Sequence, residues 1–224
     1  HLKTTGDVDL CVAAGYTFYT VDPGAYVDND AHTDSLPTLQ EKFEALPWDA
    51  LEDTPEAMRT RYLDRVFGLG ALKLTFDETA LLRAACKYGG AIAHAVKMYR
   101  HLVNTMGDQP FDLEVSVDET ETPTSPLEHF FIARELRRQN VVWVSMAPRF
   151  IGRFEKGVDY IGDLTTFEAE VARHADVMAH FGGYKLSLHS GSDKFSIYAI
   201  VARHTGGHVH LKTAGTSYLE ALRA

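Results

Sequence analysis

Five short stretches decide how this chain reads: LEVSVDET (113–120), VVWVSMAPR (141–149), YKLSLHS (184–190), HVHLKTAG (208–215) and the opening HLKTTG (1–6). In each, apolar and polar residues alternate, and side chains two apart in a strand share a face. One face carries Val115 and Val117, Val142, Val144 and Met146, Leu186 and Leu188, Val209 and Leu211, and Leu2. The other carries Glu114, Ser116 and Asp118, Ser145, Lys185, Ser187 and His189, His208, His210 and Lys212, and His1 and Lys3. Helical stretches separate the segments, which predicts parallel strands covered by helices. The polar face then lines an enclosed space, and a barrel interior rich in His, Lys and carboxylates suits a site better than a core.

Working outward, the pattern predicts a helix over 7–14 with Asp7 as its cap, and a strand over 16–21 stopped by Asp22-Pro23-Gly24. A polar loop follows over 27–37. Helices are expected over 38–67 and 77–106, the second kinked at Gly89-Gly90, with a possible strand at 72–76; the region 38–107 reads as a helical insertion. Regular alternation then returns, with helices over 127–139, 164–181, 195–205 and from Ser217 onward. Thr124 or Ser125, ahead of Pro126, is the expected cap of the first of these. The spacing is that of an α/β protein of the (β/α)8 TIM-type barrel class, with six strands visible and truncation expected at both ends. A doubly wound open sheet ranks lower, because no Gly-rich phosphate loop follows any strand. HLKTTG (1–6) and HLKTAG (210–215) match at five of six positions, an echo expected of strands presenting equivalent groups to one substrate.

The chain has 224 residues, 45% hydrophobic and 24% charged, enough for a single domain with a sizeable core. A net charge of −9 argues against nucleic acid as a partner. No apolar run is long enough for a membrane span and no signal-peptide pattern is present, so no membrane partner is expected. Cys11 and Cys86 are too sparse for a disulfide framework and read as reduced thiols of a cytoplasmic protein. Eleven histidines point weakly to metal or acid–base work.

His189 and His210 fall on the polar face at the C-terminal ends of strands, where parallel α/β folds place their sites. With His1 they are candidate ligands for a divalent metal (Zn, Mn, Ni or Fe), with Asp118 or Glu119 as the carboxylate. Asp118 and Glu119 are equally candidates for general acid and base. Lys3 and Lys212 each follow a strand-end His by two residues and suit stabilisation of negative charge on an anionic substrate. Arg149 could grip a carboxylate, Asp22 a hydroxyl, and the turn Ser190, Asp193, Lys194 an anion at a helix N-terminus.

The strings SVDETETPTSP (116–126), APRFIGRFEKGVDYIGD (147–163), KLSLHSGSDKFSIY (185–198), HVHLKTAGTSYLEALR (208–223) and HLKTTGDVDLCVAAGYTFYTVDP (1–23) together resemble the tagaturonate/fructuronate epimerases, the hexuronate C4-epimerases. The resemblance implies a cytosolic, divalent-metal-dependent enzyme interconverting two keto-hexuronates, from a family longer than this chain. It also implies an acidic–His pair after Asp22-Pro23, where this chain has Ala25-Tyr26. The inverted carbon lies β to the ketone, so simple enolisation cannot invert it. Retro-aldol cleavage and re-addition can, as can transient oxidation, which needs a nicotinamide for which no fingerprint is present. Alternatives are an aldolase or lyase on a similar sugar acid, and an inactive truncated barrel that binds sugar acids. The truncated form would expose sheet edges and self-associate as a homo-oligomer.

Overall fold

A computed structural model describes residues 2–213; His1 and the expected helix from Ser217 lie outside the described residues. The chain opens with α1 (Thr5–Ala13). Thr4, not Asp7, is its cap: Thr4 Oγ1 accepts from the Asp7 amide at 3.2 Å, and Asp7 returns a bond to the Thr4 amide at 2.8 Å. This is a reciprocal capping box. Strand β1 (Phe18–Val21) follows, and Leu2 pairs with Val21 as an isolated parallel bridge beside it.

The single helix expected over 38–67 does not form. The region 24–77 holds α2 (Leu36–Glu44), α3 (Trp48–Leu51), α4 (Pro55–Tyr62) and an antiparallel hairpin of β2 (Val66–Leu69) and β3 (Leu72–Thr75). Pro37, Pro47 and Pro55 break the helical pattern into short pieces, because proline lacks the donor a helix interior needs. Gly70 takes φ +63° at the hairpin turn, a conformation open to glycine without a side-chain clash. Then come α5 (Glu78–Met106), β4 (Asp112–Val117), α6 (Pro126–Arg138), β5 (Ser145–Pro148), α7 (Leu164–His180), β6 (Lys185–Leu188), α8 (Phe195–Thr205) and β7 (Val209–Leu211). Ser125 caps α6, with Pro126 in its first turn and Glu128 closing the box, as the sequence predicts.

The five strands β1, β4, β5, β6 and β7 pair in that order, all parallel. Each strand neighbours the next one along the chain, with no reversal of order. Helices α1, α5, α6, α7 and α8 pack one against the next in the same sequence. Helix α5 is therefore the crossover between β1 and β4 rather than part of an insertion; the excursion is the stretch before it. Its helical bonding runs unbroken through Gly89-Gly90. Gly90 has a packing reason: a Cβ there would sit 2.9 Å from the Tyr26 carbonyl oxygen. Among the described residues the sheet is an open arc, not a closed eight-stranded barrel.

Along β4, β6 and Met146 of β5 the two faces divide as expected, whereas Leu211 of β7, expected on the apolar face, is 37% exposed. Val115, Val117, Met146, Leu186 and Leu188 are buried in the apolar core. Glu114, Ser116, Ser145 and Ser187, on the opposite face, are buried as well. The strand expected over 141–146 lies later, at 145–148, and Val142 stands 66% exposed at its foot. Lys185 and His208 sit at strand beginnings, are exposed, and do not line the interior.

Candidate active site

Strand register assembles the site. Thr20 on β1 is level with Glu114 on β4, and Glu114 with Ser145 on β5; Ser187 on β6 is level with His210 on β7. The Glu114 carboxylate is fully buried at the centre of these groups. Its Oε2 accepts from Ser145 Oγ at 2.5 Å and from His210 Nδ1 at 2.7 Å. Its Oε1 accepts from Thr20 Oγ1 at 3.3 Å and lies 3.9 Å from Lys212 Nζ. Burial would raise its pKa, but His210, the serines and Lys212 together hold it below the usual glutamate value.

One turn towards the strand ends, Lys212 Nζ donates to Ser116 Oγ at 2.6 Å and to Asp118 Oδ1 at 3.2 Å, and Ser116 Oγ donates to the same Asp118 oxygen. Among the described residues Asp118 Oδ2 makes no hydrogen bond. Above these groups opens a hollow of about 560 Å³ whose lining includes Thr20, Asp118, Glu119, Ser190, His210 and Lys212. A larger hollow, about 800 Å³, lies at the opposite end of the sheet, around Val142 and Tyr184. Among the described residues its Asp112, Arg137, Lys185 and His208 form no ion pair with one another, and parallel α/β folds place their sites at the C-terminal ends of the strands, so that opening is the candidate site.

A second group of charges flanks it. Lys3 Nζ lies 3.7 Å from Asp22 Oδ2 and 4.0 Å from Glu119 Oε2. The buried Asp22 also accepts from the Gly24 amide at 2.9 Å. Tyr26, which stands where the resemblance implies a histidine after Asp22-Pro23, stacks on His94 of α5 with ring centroids 4.0 Å apart.

The remaining candidates divide. Ser190 lines the hollow, and it and Asp193 hold left-handed backbone (φ +45° and +60°), a cost of about 1 kcal/mol each. Arg149 is taken up by the loop after β4: its Nη1 donates to the Thr120 carbonyl, and its backbone pairs with Thr124. It stiffens the segment bearing Asp118 and Glu119. Lys194 is a correction. Its ammonium is fully buried and turned away from any ligand, donating to the carbonyls of Glu155 (2.7 Å), Val158 (2.5 Å) and Ser192 (3.1 Å). Burial lowers its pKa. Lys194→Met strands three buried acceptors and is expected to lower Tm by about 10 °C with KM unchanged. A raised KM at unchanged Tm would return Lys194 to substrate binding.

His189 lies between Phe150 and Phe154, 4.4 Å from the latter's ring, outside the hollow's lining. Burial pushes its pKa down to about 4, and its Nε2 is buried with no hydrogen-bond partner. Among the described residues no three His, Cys, Asp or Glu side chains form a metal-holding group. Donor chemistry for a divalent cation is nevertheless present in two imidazole nitrogens, the orphaned His189 Nε2 and the His210 Nε2 left over by Glu114. Of the groups around the hollow, Glu114, Ser116, Ser145 and Ser187 were visible on the polar face but had no role assigned, Thr20 was not singled out, and Lys156 reads from sequence as a solvent-exposed loop residue but lines the hollow. Alternation backwards from Asp118 and His189 was the signal for Glu114, Ser116 and Ser187.

A parallel sheet with a lysine, a histidine and carboxylates gathered at its strand ends is an α/β arrangement whose hollow lies where such folds place small-molecule sites. The chain belongs to the tagaturonate epimerase family, whose model matches residues 1–224. It is 47% identical over 229 residues to the tagaturonate/fructuronate epimerase of Thermotoga maritima, covering 100% of this chain and 44% of that protein. The native crystal structure of fructuronate-tagaturonate epimerase UxaE from Cohnella laeviribosi superposes with a TM-score of 0.91 at 43% identity. A glycerol complex of the same enzyme gives 0.92 at 44%. Each comparison covers 100% of this chain and 44% of the solved chain, so the chain spans less than half the length of the relatives it matches. No helix among the described residues is long and apolar enough to cross a membrane.

Proposed function

We propose that this protein is a cytoplasmic epimerase interconverting D-tagaturonate and D-fructuronate, and that its arc of parallel strands is part of a (β/α)8 barrel. The observation that carries the reading is a 47% identity reaching across the whole chain, combined with a Lys212–Asp118 pair at the mouth of a polar, strand-end hollow.

The chemistry follows from the substrate. The inverted carbon is a carbinol β to the ketone, so inversion proceeds by breaking its bond to the α-carbon. Asp118 Oδ2 takes the hydroxyl proton, the bond electrons pass to the keto oxygen, and an aldehyde forms. The aldehyde rotates, the bond re-forms on its other face, and Asp118 returns the proton. Lys212 supplies positive charge beside the developing anion, and Lys3 and Lys156 draw an anionic substrate to the mouth of a protein whose net charge is −9. A divalent cation would add Lewis-acid polarisation of the keto oxygen. His210 and His189 would hold it through Nε2, with His1 as the third donor.

The test is incubation of the purified protein with D-tagaturonate, with and without EDTA, followed by chromatography of the products. Formation of D-fructuronate alone, abolished by EDTA and restored by added divalent metal, is the expected result. Release of three-carbon fragments would make the protein an aldolase, and no conversion under any metal would reduce it to a sugar-acid-binding relative.

A further inference from the structure

Glu114 is the most fully engaged charged group on the inner face of the sheet, and the reaction scheme above does not use it. It lies mid-strand on β4, fully buried, two residues before Ser116 and four before Asp118. A buried carboxylate is costly unless its lone pairs are filled, and here they are: Ser145 and His210 on Oε2, Thr20 on Oε1, with Lys212 3.9 Å away. An ionised carboxylate only accepts hydrogen bonds. The 2.7 Å contact with His210 Nδ1 therefore requires the imidazole proton to sit on Nδ1. Ser187 Oγ, 3.2 Å from the same nitrogen, accepts a share of that proton. The edge of Phe18 packs on the ring, with centroids 5.2 Å apart, and fixes its plane. In the neutral imidazole Nε2 is then a bare lone pair, and His210 lines the hollow.

We propose that Glu114 is a positioning residue: it locks His210 as the Nδ1–H tautomer and so presents Nε2 to the hollow as the acceptor that a divalent cation would occupy. Outer carboxylates of this kind orient a ligating imidazole and raise its basicity, and their loss typically weakens metal binding about 10–100-fold. The tautomer stands on the geometry alone; the metal consequence rests on the metal reading above.

Two measurements separate the two. ¹⁵N-histidine NMR of the metal-free protein is expected to show His210 protonated at Nδ1 and bare at Nε2. In Glu114→Gln the amide can donate to Nδ1, so the proton is expected to move to Nε2. Affinity for Zn²⁺ added alone, measured by competition with a chelating dye, is expected to fall about 10–100-fold in the same variant. A parent protein with His210 protonated at Nε2 overturns the proposal without any variant. So does a folded Glu114→Gln protein with unchanged tautomer and Zn²⁺ affinity. A parent that binds no Zn²⁺ yet shows the Nδ1–H tautomer overturns the metal reading and supports the positioning role.

Discussion

Replacing Asp118 with Asn is expected to lower kcat for epimerisation by about 10²–10⁴-fold while leaving KM nearly unchanged. The change keeps the shape of the side chain and its bonds from Ser116 and Lys212 to Oδ1, so substrate should still be held. What it removes is the basic oxygen at Oδ2. Initial rates with D-tagaturonate as substrate measure both constants. A kcat close to that of the parent would move the proton transfer to Glu119, whose side chain is more exposed at 56% and which also lines the hollow. A raised KM with unchanged kcat would instead make Asp118 a binding group.

The second large effect is on stability. His129 on α6 and His174 on α7 are fully buried, with their Nδ1 atoms 2.9 Å apart, and the Tyr184 hydroxyl donates to His129 Nε2 at 2.5 Å. Two nitrogens in hydrogen-bond contact share one proton, so neither ring has room for a second. Burial pushes His174 down to about 3 and His129 well below the ordinary value of 6.5. The unfolded chain takes up these protons near pH 6.5, whereas the folded chain does not until much lower. Stability is therefore full above pH 6.5 and falls as pH drops towards 3, by about 1.4 kcal/mol per pH unit for each histidine. Between pH 6.5 and 5 the pair is expected to cost about 4 kcal/mol, a large share of an ordinary domain's 5–15 kcal/mol. The depressed carboxylates, Glu114 and Asp159 among them, begin to lose their contribution only below their ordinary values, so the loss in this window comes from buried histidines, with His189 and His94 adding to that of the pair. Urea titrations at pH 7.5 and pH 5 measure the difference. Equal unfolding free energies at the two pH values would show that the pair accommodates a proton when folded.

Strand alternation was enough to place Glu114, Ser116 and Asp118 on one side of β4 and Val115 and Val117 on the other, because a period of two leaves no other arrangement. The Ser125-Pro126 start of α6 was readable from local hydrogen-bonding chemistry. The failures were of two kinds. Where proline and glycine act locally, the excursion before α5 was mistaken for helix, although its prolines were visible. Where side chains meet across the sheet, nothing local helps: Glu114 and His210 are 96 residues apart, and only the register of β1, β4, β5, β6 and β7 brings them within 2.7 Å. By sequence Lys194 belonged to a strand-to-helix turn that could hold an anion. It points inward because the loop after β5 offers the carbonyls of Glu155 and Val158, and the turn after β6 that of Ser192.

The sequence by itself determined the α/β class with its parallel strands and the polar face of β4, since hydrophobic periodicity and capping act over a few residues. The tertiary structure decided where each of the polar residues points. Lys212 and Asp118 open onto the hollow, Glu114 sits behind His210, and Arg149 and Lys194 are spent on backbone carbonyls. Those assignments depend on burial and on distances of about 3 Å between groups far apart in the chain, where a buried donor or acceptor must find a partner.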